Sequence, residues 1–401
     1  MLNPKTIEII KSTVPVLEKH GKEITTRFYQ MLFEDHPELL NIFNQTNQKT
    51  GRQQTALANA VYAAAAYIDK LETIIPVVKQ IAHKHRSIGI KPEHYPIVGK
   101  YLLLAIEDVV KDVPKEVIEA WGEAYGVIAD IFIQTEHEMY VEAAEKEGGW
   151  KDYKPFAISR KVKESDLITS IYLKPKDGKP TASFLSGQYI SVRVNIPGDE
   201  HTHIRQYSLS DAPNGEYYRI TIKRESEEKA TLGAVSNYLH DQLKEGDSIE
   251  ISAPAGEFVL DQTTDKPLVL ISGGVGVTPL MSMMKVSAKE QPNRDITFIQ
   301  AARSGRHIAL DKEIQEITNG ISRKHLICYE TPTAEDIEAQ SFDKEGYITS
   351  QWLNDVISDK AADYYLCGPI PFMKAVYQML LEIGVQEEAI HYELFGPHEK
   401  L

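Results

Sequence analysis

Two histidines, a glutamate set among apolar residues and several short glycine- and arginine-bearing runs are the parts of this chain that could do chemistry. His83 and His85 stand two apart in a stretch of helical periodicity, which puts them on nearly opposite faces, so at most one can serve an interior site. Val78, Ile81, Ala82 and Ile88 lie three, four and seven positions from His85, whereas Lys79, Gln80 and Arg86 flank His83. His85 is the one that faces inward. A buried neutral imidazole is either a hydrogen-bonded core histidine or an axial metal ligand, and on the residues alone both stay open. Trp121, Tyr125, Ile128, Phe132, Glu136 and Met139 recur at steps of three and four, a single helical stripe on which a carboxylate is unexpected. Gly273, Gly274, Val275, Gly276, Val277, Thr278 and Pro279 sit between an apolar strand (268–272) and a helix, where glycines let a backbone approach a dinucleotide phosphate. The run is not a GxGxxG fingerprint, and a tight strand-to-helix turn is the plainer alternative. Arg205, Gln206, Tyr207 and Ser208 follow an alternating strand. Cys367, Gly368 and Pro369 end another strand and open a helix, and Cys367 taken alone reads as a small buried hydrophobe. Tyr29 and Gln53 taken alone read as a helix-packing aromatic and a solvated surface residue.

The elements that position these residues fall into three stretches. From residue 6 to about 147 the apolar positions have helical spacing, punctuated by Pro37, Pro76, Pro92, Pro96 and Pro114, so this third is expected to be all-α. After Gly148 and Gly149 short alternating runs take over at 167–173, 189–194, 204–209, 218–223 and 248–252, with one helix near 235–243. They suggest a small antiparallel β-barrel. From about residue 266 apolar strands at 268–272, 296–300 and 364–367 alternate with helices, the pattern of an α/β domain with a parallel sheet. The expected domains are therefore 1–147, 148–263 and 264–401, within the size that lets each bury its own core.

Composition excludes several functions. The 401 residues carry a formal net charge of −14, which opposes both a phosphate-tracking surface and attraction to anionic lipid, so nucleic acid is not an expected partner. Cys328 and Cys367 are the two cysteines, too few for a disulfide framework, and a reducing, cytoplasmic compartment is expected. The start lacks the apolar block of a secretory signal. The longest apolar run, 58–68, is about half the roughly 20 residues of a bilayer span, so a buried helix is expected there and no membrane span.

The all-α first third, with Tyr29, Phe43, Gln53, Leu57, His85, Tyr95 and Glu136 in that order, resembles the globin domain of bacterial flavohaemoglobins. The Arg-x-Tyr-Ser run at 205–208, the Gly-Gly-x-Gly-x-Thr-Pro loop at 273–279 and the Cys-Gly-Pro turn at 367–369 resemble the flavin- and nicotinamide-binding elements of the ferredoxin reductase type. Their order behind a globin covers essentially the whole chain. The resemblance implies haem b, FAD and NAD(P)H as cofactors. It makes His85 the proximal haem ligand, with Tyr95 and Glu136 bonding its outer nitrogen, and places Tyr29 and Gln53 above the iron beside Leu57 and Phe43. It implies that Arg205 pairs with the FAD pyrophosphate, that Tyr207 packs on the isoalloxazine and that Ser208 reaches the hydride-exchanging nitrogen. Gln206, Tyr189 and the helix start at Ser236 join that flavin site, although the preceding stretch, 225–234, is acidic and long. Near the end, Glu393, Leu394, Phe395, Gly396 and Pro397 resemble the segment whose aromatic residue covers the flavin until nicotinamide displaces it, which makes Phe395 the lid.

The implied activity is that of a nitric oxide dioxygenase. Hydride would pass from NAD(P)H to FAD, single electrons from FAD to haem, and dioxygen and nitric oxide would combine to nitrate. A reductase of quinones, ferric chelates or lipid hydroperoxides is the second reading. A haem-based gas sensor is a third, for which no output domain is evident. Arg303, Ser304 and Arg306 follow a strand where a 2'-phosphate could be met, yet NADH is the expected donor. The chain is expected to act as a monomer without an obligate protein partner.

Overall fold

The computed structural model describes residues 2–43, 45–225, 233–319 and 323–396. Contacts divide the chain into two compact units. The first comprises Met1–Glu145, Trp150–Tyr153 and Arg193–Arg205, and the second Lys146–Gly149, Lys154–Val192 and Gln206–Leu401.

The Met1–Glu145 part of the first unit is helical: α1 (Pro4–Ser12), α2 (Val14–Asp35), α3 (Gln45–Lys49), α4 (Arg52–Ala66), α5 (Ile75–Ile88), α6 (His94–Val109) and α7 (Lys115–Glu145). The prolines that punctuate the sequence stand at helix starts, where a missing N–H costs nothing. Pro76 is in the first turn of α5 and Pro114 directly precedes α7. Asn3 caps α1, its Oδ1 accepting from Thr6 N at 2.9 Å. Helix α2 packs on α4 and α6, and α7 on α1 and α5. Ile10, Ile24, Phe28, Leu32, Leu102 and Trp121 form the centre of the core between them. Each such side chain contributes about 1.5 to 3 kcal/mol by leaving water.

Gly89 ends α5 in the left-handed region (φ 86°), its N–H donating to Arg86 O while Ile90 N donates to His85 O at 2.9 Å. The stop leaves His85 in the last turn of α5 and lets the chain reverse into α6, whose first turn carries Tyr95.

In the second part of the chain the antiparallel sheet contains β1 (Tyr153–Lys163), β2 (Ile168–Pro175), β3 (Tyr189–Val194), β4 (His203–Ser208), β5 (Tyr218–Lys223) and, after α8 (Ala234–Asp241), β6 (Ser248–Ser252), in the order β4-β3-β6-β1-β2-β5. Leu209, just past β4, bridges to Ile220 of β5, which brings the two ends of the sheet together as a barrel requires. Strand β1 is absent from the sequence reading. Its register shifts between Ile158 and Arg160, and this bulge breaks the alternation that would have revealed it.

The second sheet is parallel. It runs β7 (Leu268–Gly273), α9 (Val277–Glu290), β8 (Ile296–Ala302), α10 (Asp311–Thr318), β9 (Arg323–Tyr329), α11 (Ala334–Ala339), β10 (Lys344–Glu345), α12 (Ser350–Val356), β11 (Asp363–Gly368), α13 (Ile370–Glu382) and β12 (Ile390–Leu394), in the order β10-β9-β8-β7-β11-β12. The strand order reverses between β7 and β11, and the crevice beyond their carboxyl ends is where open α/β sheets bind ligands. The all-α, antiparallel-barrel and parallel α/β sequence expected from periodicity is the one observed. Among the described residues no helix is long and apolar enough to cross a membrane.

Candidate active site and cofactor-binding elements

The site in the first unit starts from Glu136, 3% exposed on the inner face of α7. A carboxylate buried this deeply must be paired. It accepts from Tyr95 Oη at 2.5 Å, and its Oε1 stands 2.8 Å from His85 Nδ1, which is itself 3.2 Å from Tyr95 Oη. Because an ionised carboxylate only accepts, Nδ1 carries the imidazole proton and Nε2 presents its lone pair. Burial and the adjacent Glu136 both push the Tyr95 hydroxyl up from its ordinary range, so it stays a donor. Phe132, one turn before Glu136, lies 5.7 Å from the His85 ring and fixes its plane from the side. Tyr125 donates to Tyr95 O at 2.7 Å and anchors the start of α6.

These residues fit a haem. His85 offers Nε2 with its tautomer fixed by an anionic partner, the arrangement that raises the basicity of a metal-bound imidazole. Among the described residues no group of three or more His, Cys, Asp or Glu stands together as a metal site.

Tyr29 is 4% exposed in an aromatic cluster, with ring centroids 4.7 Å from Phe28 and 5.7 Å from both Phe33 and Phe43. Leu57 packs on the same core. Burial pushes the Tyr29 phenol up, and the Gln53 and Gln48 side chains oppose that shift. Gln53 is half-buried rather than the solvated residue that its surroundings in sequence suggest.

Strand β4 carries Arg205, Gln206, Tyr207 and Ser208. Gln206 Nε2 donates to Ser191 Oγ at 3.1 Å, and Ser208 is 6% exposed. Tyr189 exchanges two backbone hydrogen bonds of 2.8 Å with Ala255. Helix α8 begins after Gly233 with no side-chain cap, and Ser236 in its first turn donates to Gly233 O at 3.1 Å. Uncapped N–H groups at a helix start suit a pyrophosphate, so these elements fit FAD.

In the parallel sheet the glycine loop and the Cys-Gly-Pro turn are forced together. A Cβ on Gly276 would fall 2.0 Å from Cys367 O, so only glycine lets the end of β11 lie against the loop. Thr278 Oγ1 donates to Val275 O at 3.0 Å and holds the turn into α9, while Val277, Thr278 and Pro279 are buried in its first turn. Gly273 and Gly368 lie against the ring of Phe372, which a Cβ on either would meet at 2.8 and 2.9 Å, whereas a Cβ on Gly274 would meet nothing within 4 Å, so the open side of the crevice is at Gly274. This fits a dinucleotide.

Strand β12 pairs with β11 so that Cys367 faces Glu393 and Gly368 faces Leu394. Glu393 Oε2 is enclosed without a hydrogen-bond partner, and burial pushes its carboxyl up to about 8. Burial, with Glu393 beside it, pushes the Cys367 thiol well above its usual value. Phe395 is 44% exposed just past the strand, followed by Gly396. Pro397 lies outside the described residues, as does 226–232 of the acidic stretch before α8. After β8, Arg303 and Arg306 are exposed, whereas Ser304 is buried with its Oγ 2.9 Å from His307 Nδ1.

Residues 26–132 match the globin family, 155–260 the oxidoreductase FAD-binding domain and 270–378 the oxidoreductase NAD-binding domain. A flavohemoprotein of Bacillus anthracis is 58% identical over 402 residues, spanning 100% of this chain and 100% of that protein. The chain belongs to the flavohemoprotein family. A second flavohemoprotein, of Bacillus subtilis strain 168, is 58% identical over 100% of this chain and 99% of its own length. Among solved structures, the flavohemoglobin of Malassezia yamatoensis with bound FAD and heme has a TM-score of 0.86 at 27% identity, covering 98% of this chain and 100% of that one. The FAD/NAD-binding domain of a nitric oxide dioxygenase from Vibrio cholerae has a TM-score of 0.56 at 37% identity, over 61% of this chain and 99% of that one. As a flavohemoprotein, the chain joins a haem-binding globin to FAD- and NAD-binding domains, the cofactor set that its motifs imply.

The sequence reading overlooked Tyr125 and Phe132 as site residues. Phe132 stood on the stripe with Glu136, one turn away, and that spacing could have marked it.

Proposed function

We propose that this flavohemoprotein is an NAD(P)H-dependent nitric oxide dioxygenase. The observation that carries the proposal is the His85–Glu136–Tyr95 arrangement. A ligand imidazole hydrogen-bonded to a buried carboxylate donates electron density toward a metal, which favours oxygen activation over reversible storage. When bound, haem supplies an iron at which dioxygen and nitric oxide combine to nitrate with the uptake of one electron, and FAD divides the hydride pair into single electrons.

His85 is assigned the proximal bond through Nε2, and Glu136 and Tyr95 hold its ring and proton. Tyr29 and Gln53 line the opposite side, where their hydroxyl and amide can donate to a diatomic ligand, while Phe43 and Leu57 exclude water. Arg205, Gln206, Tyr207, Ser208, Tyr189 and Ser236 are assigned to the flavin, as are Glu393, Leu394, Phe395, Gly396 and Pro397. The 273–279 loop and Cys367, Gly368 and Pro369 are assigned to NAD(P)H. The nitric oxide dioxygenase whose FAD/NAD-binding domain is similar supports the choice of substrate.

Holoprotein supplied with NAD(P)H, dioxygen and nitric oxide should form nitrate, one for each electron delivered. Rapid NAD(P)H oxidation by oxygen with no nitrate on adding nitric oxide would overturn the proposal in favour of a reductase of quinones, ferric chelates or lipid hydroperoxides. His85→Ala should abolish haem ligation and nitrate formation while NAD(P)H-driven dye reduction by the flavin persists.

A further inference from the structure

The carbonyls that close α5 are bonded from outside the helix as well as from the turn that follows it. The last four C=O groups of a helix have no partner within it and must find one elsewhere. His85 O accepts from Ile90 N at 2.9 Å and Arg86 O from Gly89 N at 3.2 Å, both in that turn. Ser87 is fully buried, and its carbonyl accepts from the Tyr153 hydroxyl at 2.9 Å. Tyr140 Oη donates to Ile90 O at 2.9 Å, with Arg86 O at 3.3 Å as a second acceptor. Tyr140 stands one turn after Glu136 on α7, so a single helix holds both the His85 ring and the turn behind it. Tyr153 comes from elsewhere, as the first residue of β1.

Its place there is fixed by more than one contact. Two short runs, Trp150–Tyr153 and Arg193–Arg205, belong by their contacts to the first unit, although the strands they lead into continue in the second. Within the first unit the Arg193 guanidinium lies 4.0 Å over the Tyr153 ring and holds it by one face. Tyr153 Cε2 lies against Gly89, 3.8 Å from where a Cβ would stand. Asp152 pairs with Lys91, just past the turn. Two successive residues, Asp152 and Tyr153, thus bind the chain on either side of Gly89.

We propose that Tyr153 is a positioning residue for the proximal histidine: its hydroxyl holds Ser87 O and fixes the last turn of α5, which keeps His85 Nδ1 at hydrogen-bonding distance from Glu136. Ser87 lies two residues after His85 in the same turn, so a shift of its carbonyl turns the helix end that carries the imidazole. The helices of Met1–Glu145 therefore do not complete the proximal side by themselves, and the first residue of β1 closes it. The inference rests on the haem reading of the first unit and not on nitric oxide as a substrate.

The test is the iron–histidine stretching band of the reduced holoprotein, read with the rate at which the ferric form gives up haem to an apoglobin acceptor. Tyr153→Phe keeps the ring under Arg193 and removes only the hydroxyl. It should lose haem about two- to tenfold faster, the effect of one hydrogen bond, and move the iron–histidine band to lower frequency, the direction expected of Glu136→Gln. In the Glu136→Gln background it should move the band far less, since the charge that the alignment serves is gone. Lys91→Met removes the neighbouring tie to Asp152 and should leave the band in place, whatever it does to stability. An unmoved band in Tyr153→Phe would overturn the proposal even if haem were lost faster. So would an equal shift in Lys91→Met, which would make Tyr153 one of several ties that merely stiffen the turn. Neither readout uses nitric oxide, so a wild-type protein that formed no nitrate would end the dioxygenase reading without altering these results.

Discussion

Glu136 and Glu393 are both enclosed carboxyls, and their surroundings set them apart. Glu136 has an imidazole and a phenol as donors, whereas Glu393 Oε2 has none and is pushed up to about 8 by burial. For Glu393 the pH dependence follows from that direction. Below the unfolded value of about 4.3 both states hold the proton and the fold pays nothing; from there to about 8 only the unfolded chain ionises, so stability falls as pH rises, and above 8 the loss is constant. Glu393→Gln is always neutral, so it should match the wild type near pH 4 and exceed it by about 2 to 4 kcal/mol above pH 8 in denaturant unfolding. A gap that did not widen with pH would show Glu393 ionised in the fold. Glu136→Gln keeps an acceptor for His85 but removes the charge, and should lower the iron–histidine stretching frequency of the reduced protein; an unchanged frequency would deny Glu136 its effect on the ligand. His85 and Glu136 were legible in sequence because each stands out against a helical period, one by its apolar neighbours and one as an acid on an apolar stripe. Phe132 was not singled out as part of the site, since an aromatic on an apolar stripe breaks no period and its place beside the His85 ring exists only in the fold.

Between elements, close approach decides more than conformational freedom does. Gly276 has an ordinary helical φ of −59°, yet a Cβ there would meet Cys367 O at 2.0 Å and Cys367 C at 2.3 Å, both backbone atoms that cannot rotate away. Gly276→Ala should therefore push the end of β11 off the glycine loop, cost about 1 to 3 kcal/mol or more, and raise the KM for NAD(P)H in flavin reduction while the haem spectrum stays as in the wild type. Wild-type kinetics in this variant would mean that the two loops are not held together at the switch point. The same logic explains what the pattern of the sequence could and could not deliver. Strands β3, β5 and β6 were found at their observed bounds because their alternation is unbroken, and the buried β7 and β11 to within one residue at their ends because they are short apolar runs beside glycine turns. Strand β1 was hidden by its bulge, and β9 by its opening Arg323, Lys324 and His325, which read as surface. Helix starts in the first unit were legible where proline marks them, as at Pro76 and Pro114, whereas the stop of α5 at Gly89 was not singled out.

At the scale of the molecule, a buried charge cluster joins the barrel to the parallel sheet inside the second unit. Arg219 of β5 is 1% exposed, with Nη1 at 2.5 Å from Glu313 of α10 and Nε at 3.8 Å from Asp211, and Lys285 of α9 stands 2.7 Å from each of those acids. Burial alone would push both carboxyls up. Arg219 and Lys285 outweigh it and hold them below the usual range, so their contribution to stability is present above about pH 4 and lost as pH falls further. Arg219→Met would leave Asp211 enclosed with Lys285 as its remaining cation, a loss of about 3 to 5 kcal/mol, because the partner charge stays buried while its compensation goes. The first unit shares none of these groups, so calorimetry of the holoprotein should show the transition that releases flavin moving to lower temperature while the one that bleaches the haem stays in place. The variant should also lose less stability than the wild type between pH 5 and about pH 3, since its acids are no longer held as firmly in the ionised form. High salt should reproduce the effect in the wild type only in part, because Arg219 and Asp211 are enclosed whereas Lys285 and Glu313 are half-buried and partly screened by counterions. Two transitions that shifted together would mean that Arg219 also bears on the stability of the globin.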